Sequence, residues 1–129
     1  NLLSFASQKL LAIGKLRIYP HLLTNELIDI QKKAFASIFA SRGEGFGLPL
    51  AESLFYGVPV IHNTLSVFEE VCGDVSIKFS IDDQDSLVQA ILNLRQSEFE
   101  YKEIRLNSWK RGLQFSHEEA ARKWSSLLF

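Results

Sequence analysis

Two short apolar runs, ASIFAS at residues 36–41 and VPVIHN at 58–63, stand on either side of a glycine turn and a helix-like segment, LPLAESLFYG. Pro49 fits the first turn of that helix and Gly57 its end. The alternation continues downstream, where SVFEEVC reads as a short helix and VSIKFS as another strand. Upstream, TNELIDIQKKAF reads as a helix. Thr24 is its N-cap, Glu26 and Asp29 lie near its start, and Lys32 and Lys33 lie near its end, which matches the helix dipole. KLRIYP reads as a short strand ended by Pro20, and ASIFAS as a buried strand. Strands alternating with helices over short loops predict an α/β fold, with a Rossmann-like, mainly parallel sheet and flanking helices.

The ends of the chain read as helical. NLLSFASQKLLAI has the apolar spacing of a helix face, and Gly14 follows as a stop. From Asp82 about 48 residues carry no strand pattern. DDQDSLVQAILNLRQ and SEFEYKEIRLNSWKRGL precede a last helix opened by Ser116, which forms a capping box with Glu119. This predicts a helical C-terminal extension packed on the sheet layer, within one domain spanning 1–129. Phe99, Tyr101, Trp109, Phe115 and Trp124 are expected in the core or between helices.

Hydrophobic residues make up 47% of the chain, enough for a core. The net charge of −1 gives no electrostatic case for nucleic acid or an anionic membrane. Cys72 is the single cysteine, which excludes an intrachain disulfide and points to a reducing compartment. It reads as a small core residue rather than a nucleophile. His21, His62 and His117 show no zinc spacing, so no metal is expected. No run approaches the ~18–20 apolar residues of a membrane span, and the N-terminus lacks the pattern of a signal peptide. The chain has no methionine, and the expectation is a fragment or a processed chain.

The glycine turn is the candidate site. Gly43, Gly45 and Gly47 alternate, and Glu44 and Glu52 are separated by seven residues. In an open parallel sheet, ligands bind beyond the carboxyl ends of the strands, where this turn falls. Glycines let a ligand approach the backbone, and the start of the next helix offers unpaired N–H groups and a partial positive charge. A phosphate or polar sugar suits those donors, and carboxylates suit neighbouring hydroxyls. The ligand suggested has hydroxyls at two separated places with negative charge between them, as in a nucleotide sugar. Against this, such turns are common structural links, and on residue chemistry alone the two readings weigh equally. His62 reads as a loop histidine or one reaching the cleft. His117 and His21 read as structural, and one of Glu69 and Glu70 as charging a short helix.

EGFGLPLAESLFYGVPVI resembles the signature of the family 4 glycosyltransferases, which are retaining enzymes. Glu44, Gly45, Phe46, Gly47, Leu48, Pro49, Glu52, Gly57, Pro59 and Val60 match its E-G-F-G-L-P-x-x-E pattern and the G-x-P-V that follows. EEVCGD and FSHEEAARKW are similar to further family segments, in register from about Arg17 onwards. The resemblance implies a GT-B fold, of which this chain is most of the C-terminal, donor-binding domain, truncated at its N-terminus. It implies a nucleotide-diphosphate sugar as donor substrate, no metal or other cofactor, and transfer of a hexose to a glycan or lipid-linked acceptor held by the other domain. By that likeness Glu44 is the catalytic residue beside the donor sugar. Gly45, Phe46, Gly47 and Leu48 contact sugar and diphosphate, Glu52 holds the ribose, and Asn63 and Thr64 line the cleft.

The family's basic Arg and Lys, in a G-R-x-x-x-x-K-like segment, have no counterpart here. Lys9 and Lys15 do not fall in that context. The chain alone is therefore expected to be inactive, and self-association through uncovered strand edges is expected. The expected location is cytoplasmic, peripheral to the inner face of a membrane through the missing part. The alternative is a non-catalytic module that binds nucleotide or protein, derived from a split transferase. A dinucleotide-binding oxidoreductase would need G-x-G-x-x-G after the first strand, which this chain lacks.

Overall fold

A parallel three-stranded sheet lies at the centre of the computed structural model, which describes residues 5–128. Its strands are β1 (Ser37–Phe39), β2 (Val60–Asn63) and β3 (Ile77–Phe79), side by side in chain order. Ser37 pairs with Val60 and Phe39 with His62, and on the other side Ile61 pairs with Ile77 and Asn63 with Phe79. Parallel neighbours need crossovers, supplied by α3 (Leu48–Phe55) and α4 (Ser66–Cys72). The α/β architecture expected from the alternating pattern is the one observed.

Every residue of β2 is buried, as expected for a strand covered on both faces. Val60 joins Leu50, Ala51 and Leu54 of α3 and Phe68, Val71 and Cys72 of α4 in one cluster. Ile61, pointing the other way, joins Phe79 and then Ala90 and Leu94 of α5 (Gln84–Gln96). Cys72 is a buried core residue, and desolvation pushes its thiol up to about 11, so it stays protonated and unreactive.

The helix starts follow side-chain capping. The Asp83 carboxylate accepts from the Asp85 and Ser86 amides at α5. The Ser97 hydroxyl accepts from the Glu100 amide at α6 (Glu98–Gly112), and Ser116 from the Glu119 amide at α7 (His117–Leu128). The Ser116 capping box is only half made, because both Glu119 oxygens bond Arg122 instead. At α2 (Thr24–Lys33), Thr24 is the first helical residue rather than the cap, and Glu26 accepts from the Leu23 amide at 2.9 Å.

α6 crosses beneath the sheet, at the amino ends of its strands. The Tyr101 ring stacks on Phe35 at 4.7 Å, and its hydroxyl donates to the Phe35 carbonyl just before β1. Arg105 donates to the Gly57 carbonyl before β2. Arg111 donates to the Val71 and Glu70 carbonyls at the end of α4, satisfying acceptors that a helix C-terminus leaves open. At its far end Gly112 meets α3 so closely that a Cβ there would fall 2.2 Å from the Phe55 nitrogen.

Some expectations are corrected. KLRIYP is not a strand: residues 16–19 carry no regular structure, because a strand exists only through a ladder partner and they have none among the described residues. ASIFAS does contain β1, but as an edge strand with Ile38 46% exposed, not a buried one. Phe99 is 77% exposed and belongs to no core. Trp109 packs its Cβ against Gly57 but is also largely exposed. The N-terminal helix is present as α1 (Phe5–Ala12), with Gly14 beyond it at positive φ. The part predicted for residues 1–4 and the side chain of Trp124 lie outside the described residues.

α6 supplies a paired test. Gly112→Ala should cost about 3 kcal/mol or more in urea unfolding, since the new methyl collides with main chain that cannot move aside. Ser108→Ala, four residues earlier, should be neutral or stabilising, because the buried Ser108 hydroxyl has no hydrogen-bond partner to lose.

Candidate functional site

The glycine turn occupies the carboxyl end of β1, as its place in the sequence required. Both of its ends are fixed. At the first, the Asn63 side chain reaches across from the end of β2. Its Oδ1 accepts from the Ser41 amide and its Nδ2 donates to the Ser41 carbonyl, each at 2.9 Å. The Ser41 hydroxyl then donates to the Gly43 carbonyl and accepts from the Gly43 amide.

At the second end, Gly47 is the N-cap of α3 with φ +77°. An L side chain there would be strained, and its Cβ would sit 3.4 Å from the Phe68 ring. Between these anchors Gly43 and Gly45 have open space around them.

The donors at this turn can be traced. Leu50 and Ala51 give their amides to the Gly47 carbonyl, and Pro49 has none to give. The amides of Gly45, Phe46, Gly47 and Leu48 have no hydrogen-bond partner among the described residues. They lie at the positive end of α3, where an anion or polar group is favoured. Glu44 is exposed in the turn, and Glu52 is exposed on α3.

The structure does not gather all the predicted residues into one cavity. A groove of about 660 Å³ between α3 and α7 is lined by Phe46, Leu48 and Glu52, together with Phe55, Phe115 and Lys123. Phe46 meets Phe115 edge-on at 6.0 Å across it. Glu44, Gly45, Asn63 and Thr64 are not among its walls. Thr64 is exposed just past β2, on the end of the sheet that carries the turn, while Asn63 is buried with its amide committed to Ser41.

His62 belongs to β2 itself and is fully buried, so it is neither a loop nor a cleft residue. Its Nδ1 lies 2.8 Å from the Asn63 carbonyl and must donate to it, and its Nε2 lies 2.8 Å from the Ser76 hydroxyl, a partner that can take either role. Glu69 is paired with Lys78 at 2.8 Å, and that hydrogen bond holds its carboxyl below the usual range. His117 and His21 are exposed.

Sequence reading passed over two residues here. Arg42 places a cation on the turn beside Asp82, which follows β3, at 3.8 Å and with both exposed. Phe68 forms the seat for Gly47. Arg42 was legible as a charge next to the motif, whereas the role of Phe68 depends on a contact that sequence cannot show.

The profile of the family Glycosyl transferases group 1 matches residues 2–111. The chain is 38% identical over 72 residues to the O-antigen chain mannosyltransferase RfbU of Salmonella typhimurium, a match covering 56% of this chain and 20% of that protein. It is 32% identical over 94 residues to the serotype-specific mannosyltransferase WbdA of Escherichia coli, covering 69% and 12%. It is 31% identical over 109 residues to the O-antigen chain mannosyltransferase B of Escherichia coli, covering 81% and 28%. The chain thus spans less than a third of the length of each of these relatives.

The Gly47 anchor is open to direct test. Gly47→Ala should lower stability by about 1–2 kcal/mol in urea unfolding, through the left-handed backbone it must adopt.

Proposed function

The chain belongs to the group 1 glycosyl transferases, and from that premise we propose that it is the donor-binding part of a retaining enzyme that transfers a hexose from a nucleotide-diphosphate sugar. The sugar proposed is mannose and the acceptor a polysaccharide or lipid-linked glycan, in keeping with the names of its relatives. The observation that carries the reading is the run of unpartnered amides at residues 45–48, set between two exposed carboxylates at the carboxyl end of a parallel sheet.

The chemistry divides by charge. A diphosphate is repelled by Glu44 and Glu52 but accepted by main-chain amides at the positive end of α3. Each carboxylate instead takes hydroxyl protons. In this reading Glu52 holds the ribose. Glu44 orients the donor sugar and balances the oxocarbenium-like charge that develops as the diphosphate leaves, without attacking it. Phe46, Gly47 and Leu48 position the sugar and diphosphate, and Thr64 borders the same face. Charge on the departing diphosphate is met by these amides and by basic side chains from the rest of the enzyme, and no metal ion is assigned. The acceptor belongs to the rest of the enzyme. No helix among the described residues is long and apolar enough to cross a membrane. The location proposed is cytoplasmic, with a lipid-linked acceptor met at the inner face of the membrane through the rest of the enzyme.

The test is a titration of the chain with UDP, GDP and ADP and their hexose conjugates, followed by backbone amide shifts. Saturable shifts at residues 45–48 with one base are expected, and Glu52→Ala should weaken the affinity about tenfold, the loss of a hydrogen bond to a charged group. Absence of saturable shifts with all three bases, in a chain that remains folded, would overturn the assignment of this turn as a donor site.

A further inference from the structure

We propose that Asn63 is a positioning residue: its side-chain amide extends the β1–β2 ladder by one rung and thereby fixes the turn that carries Glu44. The proposal deepens the donor-site reading and rests on it for its consequence in binding. Main-chain pairing between the strands ends at Phe39 and His62. Beyond it the Asn63 amide meets both polar groups of the Ser41 main chain at 2.9 Å, as a facing peptide would. A side-chain amide, as in Asn or Gln, presents a planar acceptor and a planar donor side by side and carries both without titrating. Asn63 is 4% exposed, so water does not compete for these bonds.

Asn63 is itself held in place. The buried His62 imidazole donates to the Asn63 carbonyl and is held at its other nitrogen by a hydrogen bond with the Ser76 hydroxyl. The restraint then passes outward through the Ser41 hydroxyl to Gly43, the residue before Glu44. Gly47 on Phe68 fixes the other end of the turn. With one anchor removed, glycines at 43 and 45 give the turn no stiffness of its own, and Glu44 and the amides at 45–48 lose their common position.

Asn63→Asp separates the donor from the acceptor. An ionised carboxylate still accepts from the Ser41 amide but repels the Ser41 carbonyl, and protonation restores a donor. Burial raises the pKa of such a carboxyl, so recovery should begin above the ordinary aspartate range. The titratable groups on the surrounding elements are His62 on β2, Arg42 and Glu44 on the turn, Glu52 on α3, Glu69, Glu70 and Cys72 on α4, Lys78 on β3 and Asp82 beyond β3. All are shared with the parent chain, so the difference between the two pH profiles isolates position 63.

The experiment measures hydrogen exchange at the Ser41 amide, relative to its intrinsic rate, from about pH 4 to about pH 8, and UDP, GDP and ADP affinity at each end of that range. Asn63→Ala should reduce Ser41 protection and nucleotide affinity about tenfold at every pH. Asn63→Asp should match it near neutrality and return toward the parent on acidification, while the parent profile stays flat by comparison. Ser53→Ala is the control for general destabilisation. It removes hydroxyl bonds to Ser37 and the Pro49 carbonyl and should leave Ser41 protection unchanged.

Unaltered Ser41 protection in Asn63→Ala, absence of acid recovery in Asn63→Asp, or loss of protection with full nucleotide affinity would each overturn the proposal. The exchange profiles need no ligand. A parent that binds none of the nucleotides yet shows the Ser41 profile would sink the donor-site reading and leave the clamp standing.

Discussion

The arrangement depends on β2 being buried on both faces. A strand with Val60 at 0% exposure on one side and Ile61 at 0% on the other needs an apolar layer against each. α3 and α4 supply one and α5 the other. Burying those side chains contributes on the order of 1.5–3 kcal/mol each. With both faces of β2 occupied and α6 bonded across the amino ends at Phe35, Gly57 and α4, the carboxyl ends of the strands stay open, as does the outer edge at β1. The site is thus a consequence of how the core is closed elsewhere.

Much of this was legible. In LPLAESLFYG the proline near the start, the Leu50–Leu54 spacing and the glycine after the end each act locally, so they report the helix without knowledge of its neighbours. The run VPVI has no polar face, as expected for a strand with no solvent side. The glycine turn was legible for the same reason: Gly47 must take φ +77°, a demand on one residue. Glu44 and Glu52 could be placed on the ligand-bearing end because strand-to-helix order fixes that end.

What was not legible depends on a partner distant in sequence. KLRIYP has strand composition, but strand state is decided by the ladder, and residues 16–19 have none. Phe99 looks like core until α6 is seen to turn it outward. Gly112 reads as an ordinary helix residue, although its missing Cβ is what lets α6 touch the α3 backbone. The strand reading of VPVIHN takes in His62, yet a polar residue after the apolar VPVI also looks like the start of a loop. Instead Asn63 and Ser76 satisfy both ring nitrogens, so the strand continues through it without an unpaired buried group. Glu119 is the reverse case: the capping-box pattern is present, but Arg122 competes for the carboxylate within its own helix.

These contacts give the two carboxylates unlike freedom. Glu52 is carried on a helix whose buried face, from Leu50 to Leu54, fixes its backbone. Glu44 hangs between two anchors with open space around the glycines on either side of it. Ordering such a turn on a ligand costs backbone entropy of about 1–2 kcal/mol per residue fixed, a cost the helix residue has already met in folding. The Asn63 and Phe68 contacts shorten the segment that must be ordered, and so reduce that cost. In the function proposed above, donors and carboxylates held in place before the ligand arrives favour the transition state, because they need not reorganise as charge develops. On that reading the two anchors, rather than the glycines between them, are what would serve the reaction.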